Sequence, residues 1–438
     1  MTLLEQARSG QMPELVTQAA QAERVDPSLL LRDIADGKAV IPANVIHRRG
    51  TLRPVAIGRC VSTKINANIG ASSIKSSLSE ERAKLDLAIQ AGSDTVMDLS
   101  TAGQLDAIRE MIITESPVPV GTVPIYEMVL DRDVENVTAD FMLSILAKQA
   151  AQGVDFFTIH AGVLREYLPY TLHRIGGIVS RGGALLAKWM TYHNRQNPLY
   201  ERFDDICAIM REHDVTFSLG DGLRPGALAD AGDRAQISEL ETLAELTARA
   251  QDAGCQVIVE GPGHVPLNQI EEQMKLQQRL CKGAPFYVLG PLVTDIGAGY
   301  DHIAGAIGAT LAAYYGASFL CYLTPLEHLG LPDAEAVRQG VVTFKLAAHA
   351  ADVARGLPGA RDRDDQMSAA RANLDWPKMF ELALDGQRAR QLHERDTCPG
   401  DDYCSMCGQK WCAVRINRQV RQMMGKMELE TKTSESKA

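Results

Sequence analysis

The chain has no surplus of positive charge. Its 438 residues carry 45 Lys+Arg against 55 Asp+Glu, a formal net charge of −10. A protein whose main task is to hold nucleic acid or an anionic membrane needs cations to neutralise phosphates, so no nucleic-acid or membrane partner is expected. One small basic pocket for a single phosphate fits this balance. No apolar leader opens the chain: Met1–Gly50 is polar and mixed in charge, and the expected compartment is the cytoplasm. Only one long run, residues 303–326, lacks Asp, Glu, Lys and Arg. Gly305, Gly308, Gly316 and Pro325 interrupt it, so it reads as a small-residue helix, a glycine stop and a buried strand rather than a membrane span. The nine cysteines are an odd set and speak against a disulfide framework. No G-x-G-x-x-G follows the first strand and no Walker loop occurs, which disfavours a doubly wound nucleotide-binding sheet.

What is present is an alternation. Apolar residues make 45% and charged residues 23% of the chain, an ordinary globular balance. Eight short apolar runs end in polar or glycine residues: Val96–Ser100, Val118–Pro124, Phe156–Gly162, Ile178–Gly182, Phe217–Gly222, Val257–His264, Tyr287–Pro291 and Phe319–Pro325. Runs apolar on both faces mark parallel strands covered by helices. The segments between them read as helices. Ile237, Leu240, Leu243, Leu246 and Ala250 form one stripe, and Gly254 supplies its left-handed stop. Eight such units in about 250 residues predict an α/β fold, a (β/α)8 barrel of the TIM type. The expected organisation is a small α+β cap over residues 1–80, the barrel over 81–345 and a helical domain over 346–416. A disordered tail over 417–438 completes it, being rich in Lys, Glu, Ser and Thr.

Chemistry concentrates in three places. Cys404, Cys407 and Cys412 form a C-x2-C-x4-C, and thiolates so close converge on a soft centre. Structural zinc wants a fourth ligand, for which Cys398 and His393 are upstream candidates. An iron–sulfur cluster held by three cysteines keeps one iron open. The second place is the set of strand ends, where parallel barrels put their active sites. They offer Asp98, Met97, Tyr126, His160, Ser180–Gly183, Asp221–Arg224, Glu260–His264, Tyr287 and the stretch from Cys321 to His328. Within that set His264 and His328 follow the sixth and eighth strands and suit an open mononuclear metal; two unrelated hydrogen-bonded histidines are the plainer reading. Third, Ser180-Arg181-Gly182-Gly183 opens a helix, and free N–H groups beside a guanidinium make an anion site, with Arg224 as a second cation. The plainer reading there is an Arg224–Asp221 pair.

These motifs are long enough to be recognisable. Residues 64–70 (KINANIG), 94–100 (DTVMDLS), 121–126 (GTVPIY), 178–183 (IVSRGG), 219–226 (LGDGLRPG), 260–266 (EGPGHVP), 299–303 (GYDHI) and 327–332 (EHLGLP) closely resemble the phosphomethylpyrimidine synthase (ThiC) family in its short form. The resemblance runs from about residue 30 to Cys412. It implies a radical S-adenosylmethionine lyase of thiamine biosynthesis. The substrate would be 5-aminoimidazole ribotide, and the product 4-amino-5-hydroxymethyl-2-methylpyrimidine phosphate, with formate, carbon monoxide, 5′-deoxyadenosine and methionine.

By the same resemblance, Cys404, Cys407 and Cys412 hold a [4Fe–4S] cluster that binds S-adenosylmethionine. His264 and His328 hold a mononuclear Zn2+ (or Fe2+). Asn68, Met97, Tyr126, His160, Ser180, Arg181, Gly182, Asp221, Gly222, Leu223, Arg224, Glu260 and Tyr287 contact the substrate. Partners implied are a one-electron donor and a second copy in a homodimer, with the cluster-bearing tail over the partner's barrel. Glu260 is the candidate for moving protons and Cys321 for exchanging a hydrogen atom. Inside the cluster loop, Gln409 and Trp411 replace the Pro and Phe of many relatives. The nearest rival is 5-hydroxybenzimidazole synthase, which uses the same ribotide for cobamide lower ligands. The intact Ser-Arg-Gly-Gly and Asp-Gly-Leu-Arg segments favour the thiamine enzyme. A non-enzymatic zinc scaffold and a zinc amidohydrolase-like barrel are the rivals from other classes; the second has no use for the cysteines.

Overall fold

A computed structural model describes residues 1–73, 77–396 and 403–435; Cys398 lies outside them. Eight parallel strands close into a barrel: β3 (Lys64–Ile69), β4 (Thr95–Asp98), β5 (Val120–Thr122), β6 (Phe156–Ile159), β7 (Thr216–Leu219), β8 (Val257–Gly261), β9 (Phe286–Leu289) and β10 (Phe319–Cys321). Closure comes where β10 pairs with β3, Cys321 standing beside Asn66. Before the barrel, β1 (Ala39–Val40) and β2 (Ile57–Gly58) form a two-stranded antiparallel ribbon. Three short helices, Leu3–Arg8, Glu14–Glu23 and Pro27–Ala35, pack with it around their own core of Leu3, Val16, Leu30, Ile34 and Ile41.

Two expectations are corrected. Ile178–Gly182 is not a strand; it is extended chain ending at Ser180, which caps the helix Arg181–His193. Its apolar character fits a strand, but the Ser180 hydroxyl accepts from Gly183 N–H at 3.2 Å and turns the backbone into the helix. The missing barrel strand is instead β3, which lies within the stretch expected as the small α+β cap. Asn66 and Asn68 face not water but each other: Asn66 Nδ2 donates to Asn68 Oδ1 at 2.7 Å and to the Tyr287 hydroxyl at 2.9 Å. A polar barrel interior mimics a wet face. The limits expected at residues 80 and 345 accordingly fall inside helices, Leu78–Gln90 and Ala334–Arg355. The latter packs on the helix Asp301–Tyr315 and on β3, with Phe344 fully buried. The chain divides instead after Leu357.

Inside the barrel the floor is aromatic. The rings of Phe156 and Phe319, from strands that are not neighbours, meet edge to face with centroids 6.3 Å apart, and Tyr287 stacks on Phe319 at 4.1 Å. Gly121 makes room for them, since a Cβ there would stand 2.3 Å from the Phe156 ring. Large beside small is how a tapering barrel fills its interior.

The second unit, Pro358–Ala438, contains the helices Asp362–Ala372, Trp376–Leu382, Gly386–Glu394, Gly408–Trp411 and Ala413–Glu435. Trp376 stacks on His393 with centroids 3.9 Å apart. Residues 417–435, expected to be disordered, continue the last helix. The Met, Glu, Lys, Arg and Gln there are good helix formers, which polarity alone hides. Among the described residues no helix is long and apolar enough to cross a membrane.

The Gly121–Phe156 fit predicts that Gly121→Ala displaces the floor. Overpacking of this kind costs about 1–3 kcal/mol, to be read as a lower denaturant midpoint with the barrel's circular dichroism retained.

Candidate active site

The floor supports a cavity of about 850 Å³ at the carboxyl ends of the strands. Asn68, Met97, Tyr126, His160, Ser180, Arg181, Asp221, Arg224, Glu260, His264, Tyr287, Cys321 and His328 all line it. Three of the residues assigned to ligand binding do not: Gly182, Gly222 and Leu223. Their part is close packing. A Cβ on Gly182 would lie 2.3 Å from the His160 ring, and one on Gly183 would lie 2.1 Å from the Gly222 carbonyl. Only bare backbone lets the start of the helix Arg181–His193 approach the 221–224 turn so closely. Leu223 is fully buried, and its N–H donates to Glu239 Oε2 at 2.7 Å.

Strand pairing sets the polar groups against one another. Glu260 on β8 accepts from Thr158 Oγ1 of β6 and from Ser218 Oγ of β7, each at 2.7 Å. Burial pushes its carboxyl pKa up. Asp221 is raised by the same cause to about 8, against the pull of Arg224, whose Nη1 donates to its Oδ1 at 3.0 Å. Burial also raises Glu327. The same desolvation disfavours the charged form of Arg224, but Asp221 and Glu260 outweigh it and hold the guanidinium firmly protonated. Acids whose ionisation burial disfavours, beside a cation that stays charged, leave the mouth attractive to an anion. Arg181 adds to this, its guanidinium 4.6 Å above the Tyr126 ring.

His160 is buried beside Arg224, and both facts depress its pKa to about 3. It works as a neutral imidazole, its Nε2 3.2 Å from Ser180 Oγ. The buried Cys321 thiol is pushed up to about 12 and so keeps its hydrogen; Asn68 Nδ2 donates to its Sγ at 3.2 Å. His264 and His328 face each other with ring centroids 5.5 Å apart. His264 Nδ1 lies 2.8 Å from Asp295 Oδ1, and His328 Nδ1 lies 3.3 Å from Asp301 Oδ2. A carboxylate on Nδ1 fixes the tautomer that presents Nε2 to a metal, the usual outer-shell arrangement of ligating histidines. His328 takes a left-handed φ of 61°, rare outside glycine.

Some of the wall escaped sequence reasoning. Lys84 lines the cavity and pairs with Glu81 at 2.8 Å, and Glu81 in turn accepts from Gly70 N–H at 2.7 Å. Glu327, within the expected strand-end stretch, lines it as well. Asp295 and Asp301 are separated from their histidines by 31 and 27 residues, and no local pattern marks them.

The family model described as "Radical SAM ThiC family" matches residues 2–419. The chain belongs to this family. A phosphomethylpyrimidine synthase of Halobacterium salinarum is 54% identical over 449 residues, covering 100% of this chain and 94% of that protein. One of Natronomonas pharaonis is 56% identical over 439 residues, 99% of this chain and 91% of that one. Among solved structures, a Coxiella burnetii dihydropteroate synthase aligns with 67% of this chain and 94% of its own, at 12% identity and a TM-score of 0.40; this adds nothing to the reading of the site. Membership of the Radical SAM ThiC family makes the chain an enzyme and implies S-adenosylmethionine and an iron–sulfur cluster.

The donor sets can be tested against those groups. Among the described residues no three His, Cys, Asp or Glu side chains stand grouped as metal ligands, so the fit rests on donor chemistry. Cys404, Cys407 and Cys412 are unpaired thiols around the one-turn helix Gly408–Trp411, with Gly408 N–H donating to the Cys404 carbonyl at 3.0 Å. Three soft donors in so tight a loop suit a cluster with one open iron. The two histidines suit one borderline metal ion.

The burial of His160 predicts that its ring resonances do not titrate between about pH 5 and 8, the range in which an ordinary histidine does. Histidine-detected NMR checks this; a midpoint near 6.5 would contradict the site's desolvation.

Proposed function

We propose that this protein converts 5-aminoimidazole ribotide and S-adenosylmethionine to 4-amino-5-hydroxymethyl-2-methylpyrimidine phosphate, releasing formate, carbon monoxide, 5′-deoxyadenosine and methionine. The observation that carries the reading is the cationic pocket at the barrel mouth. Arg224 and Arg181 stand there beside Asp221, which burial keeps protonated at neutral pH. A ribotide brings a phosphate of nearly two negative charges at neutral pH. Arg181 and Arg224 are planar forks suited to it, and Ser180 with the first turn of its helix adds backbone donors.

The cluster at Cys404, Cys407 and Cys412 would supply, with S-adenosylmethionine, the one-electron cleavage that starts radical chemistry. The chain's own share is orientation and exclusion of water. Asn68, Met97 and Tyr287 form the wall where the heterocycle sits. Glu260, a carboxyl of raised pKa held by two hydroxyls, keeps or gives a proton at Oε2. Cys321, a protonated thiol at the end of β10, offers a hydrogen atom. His264 and His328, steadied by Asp295 and Asp301, hold the mononuclear metal and leave its other positions for substrate. The enzyme works in the cytoplasm as a homodimer, with a one-electron donor as partner.

Three outcomes test this reading. Arg181→Lys and Arg224→Lys each remove a fork and weaken ribotide binding, measured by calorimetry without S-adenosylmethionine. A lost charge-assisted contact costs about 1.5–3 kcal/mol, roughly tenfold or more in affinity. Wild-type affinity in both would sink the phosphate assignment. Affinity also depends on pH in a stated sense. Asp221 is protonated at neutral pH and ionises above about 8; it then competes with the phosphate for Arg224, so ribotide binding weakens as pH rises through that value. Metal content separates the two centres. Cys404→Ala, Cys407→Ala and Cys412→Ala lose iron and sulfide while Cys398→Ala keeps them. His264→Ala and His328→Ala lose only the mononuclear metal and stay folded.

A further inference from the structure

Behind the 221–224 turn lies a second, small cavity of about 20 Å³, the size of a single water molecule. It sits between β8 and the helices Arg234–Asp252 and Ile270–Leu280, with Asp221, Glu239 and Gln273 in its wall. Each of these contributes a buried polar atom with no protein partner: Asp221 Oδ2, Glu239 Oε1 and Gln273 Nε2. Their other atoms are committed. Asp221 Oδ1 accepts from Arg224, and Glu239 Oε2 accepts from Leu223 N–H. Gln273 Oε1 accepts from Gln236 Nε2, whose own Oε1 is fixed by Gly232 N–H at 2.7 Å. That chain of bonds starts at a backbone donor, so it settles the orientation of both amides and leaves Gln273 with a donor to place.

Glu239 is 1% exposed on a helix face that also buries Leu240, Leu243 and Leu246. The charged groups around it are Asp221 on the turn, Glu260 on β8 and Arg174. Arg174 is spent on Asp233 through two contacts of 2.6 Å. Burial and the facing carboxyl of Asp221 push the Glu239 carboxyl well toward its neutral form.

We propose that the small cavity binds one water and that Glu239 is a positioning residue for the site. Gln273 Nε2 donates to the water, which bridges Glu239 Oε1 and Asp221 Oδ2. Both oxygens of Asp221 are thereby satisfied, and its side chain is held on Arg224. Meanwhile Glu239 Oε2 anchors the backbone at Leu223, next to the same arginine. The effect on ligand rests on the reading of Arg224 as a phosphate group's partner; the water does not.

The test has two arms. A crystal structure of the full chain at high resolution is expected to show one water within hydrogen-bond reach of Asp221, Glu239 and Gln273. An empty cavity overturns the proposal. In the second arm, ribotide affinity is compared in Glu239→Gln and Gln273→Leu by calorimetry, without S-adenosylmethionine. Glutamine reproduces a neutral carboxyl, one acceptor and one donor, so Glu239→Gln keeps affinity within about threefold with an unchanged pH dependence. Gln273→Leu strips a donor from the water and loses about tenfold, the worth of one buried hydrogen bond. Glu239→Gln falling as far as Gln273→Leu overturns the neutral carboxyl. If wild-type protein binds no ribotide, the functional reading fails, and the density alone decides the water.

Discussion

Everything at the mouth depends on closure of the parallel sheet. Pairing of β10 with β3 brings Cys321 beside Asn66, and so puts the first strand of the barrel next to the last. Parallel strands all end on one face, so eight separate chain segments deliver their last side chains to one place. An open sheet with the same runs would leave Asn68 and Cys321 at opposite edges. The aromatic plug of Phe156, Tyr287 and Phe319 then blocks the barrel from below and gives the cavity a dry floor.

Dryness decides the electrostatics. The same desolvation that depresses His160 raises Asp221, Glu260 and Glu327. A neutral imidazole and acids whose ionisation burial disfavours, around a firmly charged Arg224, keep the mouth attractive to an anion in a chain whose net charge is −10. Global charge and local field thus point in opposite directions, because burial weighs on a carboxyl and an arginine very differently. The buried thiol of Cys321 follows the same rule: a site that disfavours thiolate keeps the S–H.

Much of this is legible in the residues themselves. The barrel follows from apolar runs alternating with helical stripes, and the convergence of Tyr126, His160, Asp221, Arg224 and Glu260 follows from their places after strands. What misleads is context. The Asn66–Asn68 alternation looks like a wet strand because a polar barrel interior has the same period. Ile178–Val179 looks like a strand because hydrophobicity carries no sign of the Ser180 cap that ends it. Asp295 and Asp301 reach their histidines across loops, and Glu239 hides in a leucine stripe; partners set by tertiary structure leave no local spacing to read.

The account stands or falls on the product. The decisive measurement is an anaerobic incubation of cluster-loaded protein with 5-aminoimidazole ribotide, S-adenosylmethionine and a one-electron reductant, followed by mass spectrometry. The account predicts 4-amino-5-hydroxymethyl-2-methylpyrimidine phosphate together with 5′-deoxyadenosine. Formation of 5-hydroxybenzimidazole, or release of 5′-deoxyadenosine with the ribotide unconsumed, would contradict it.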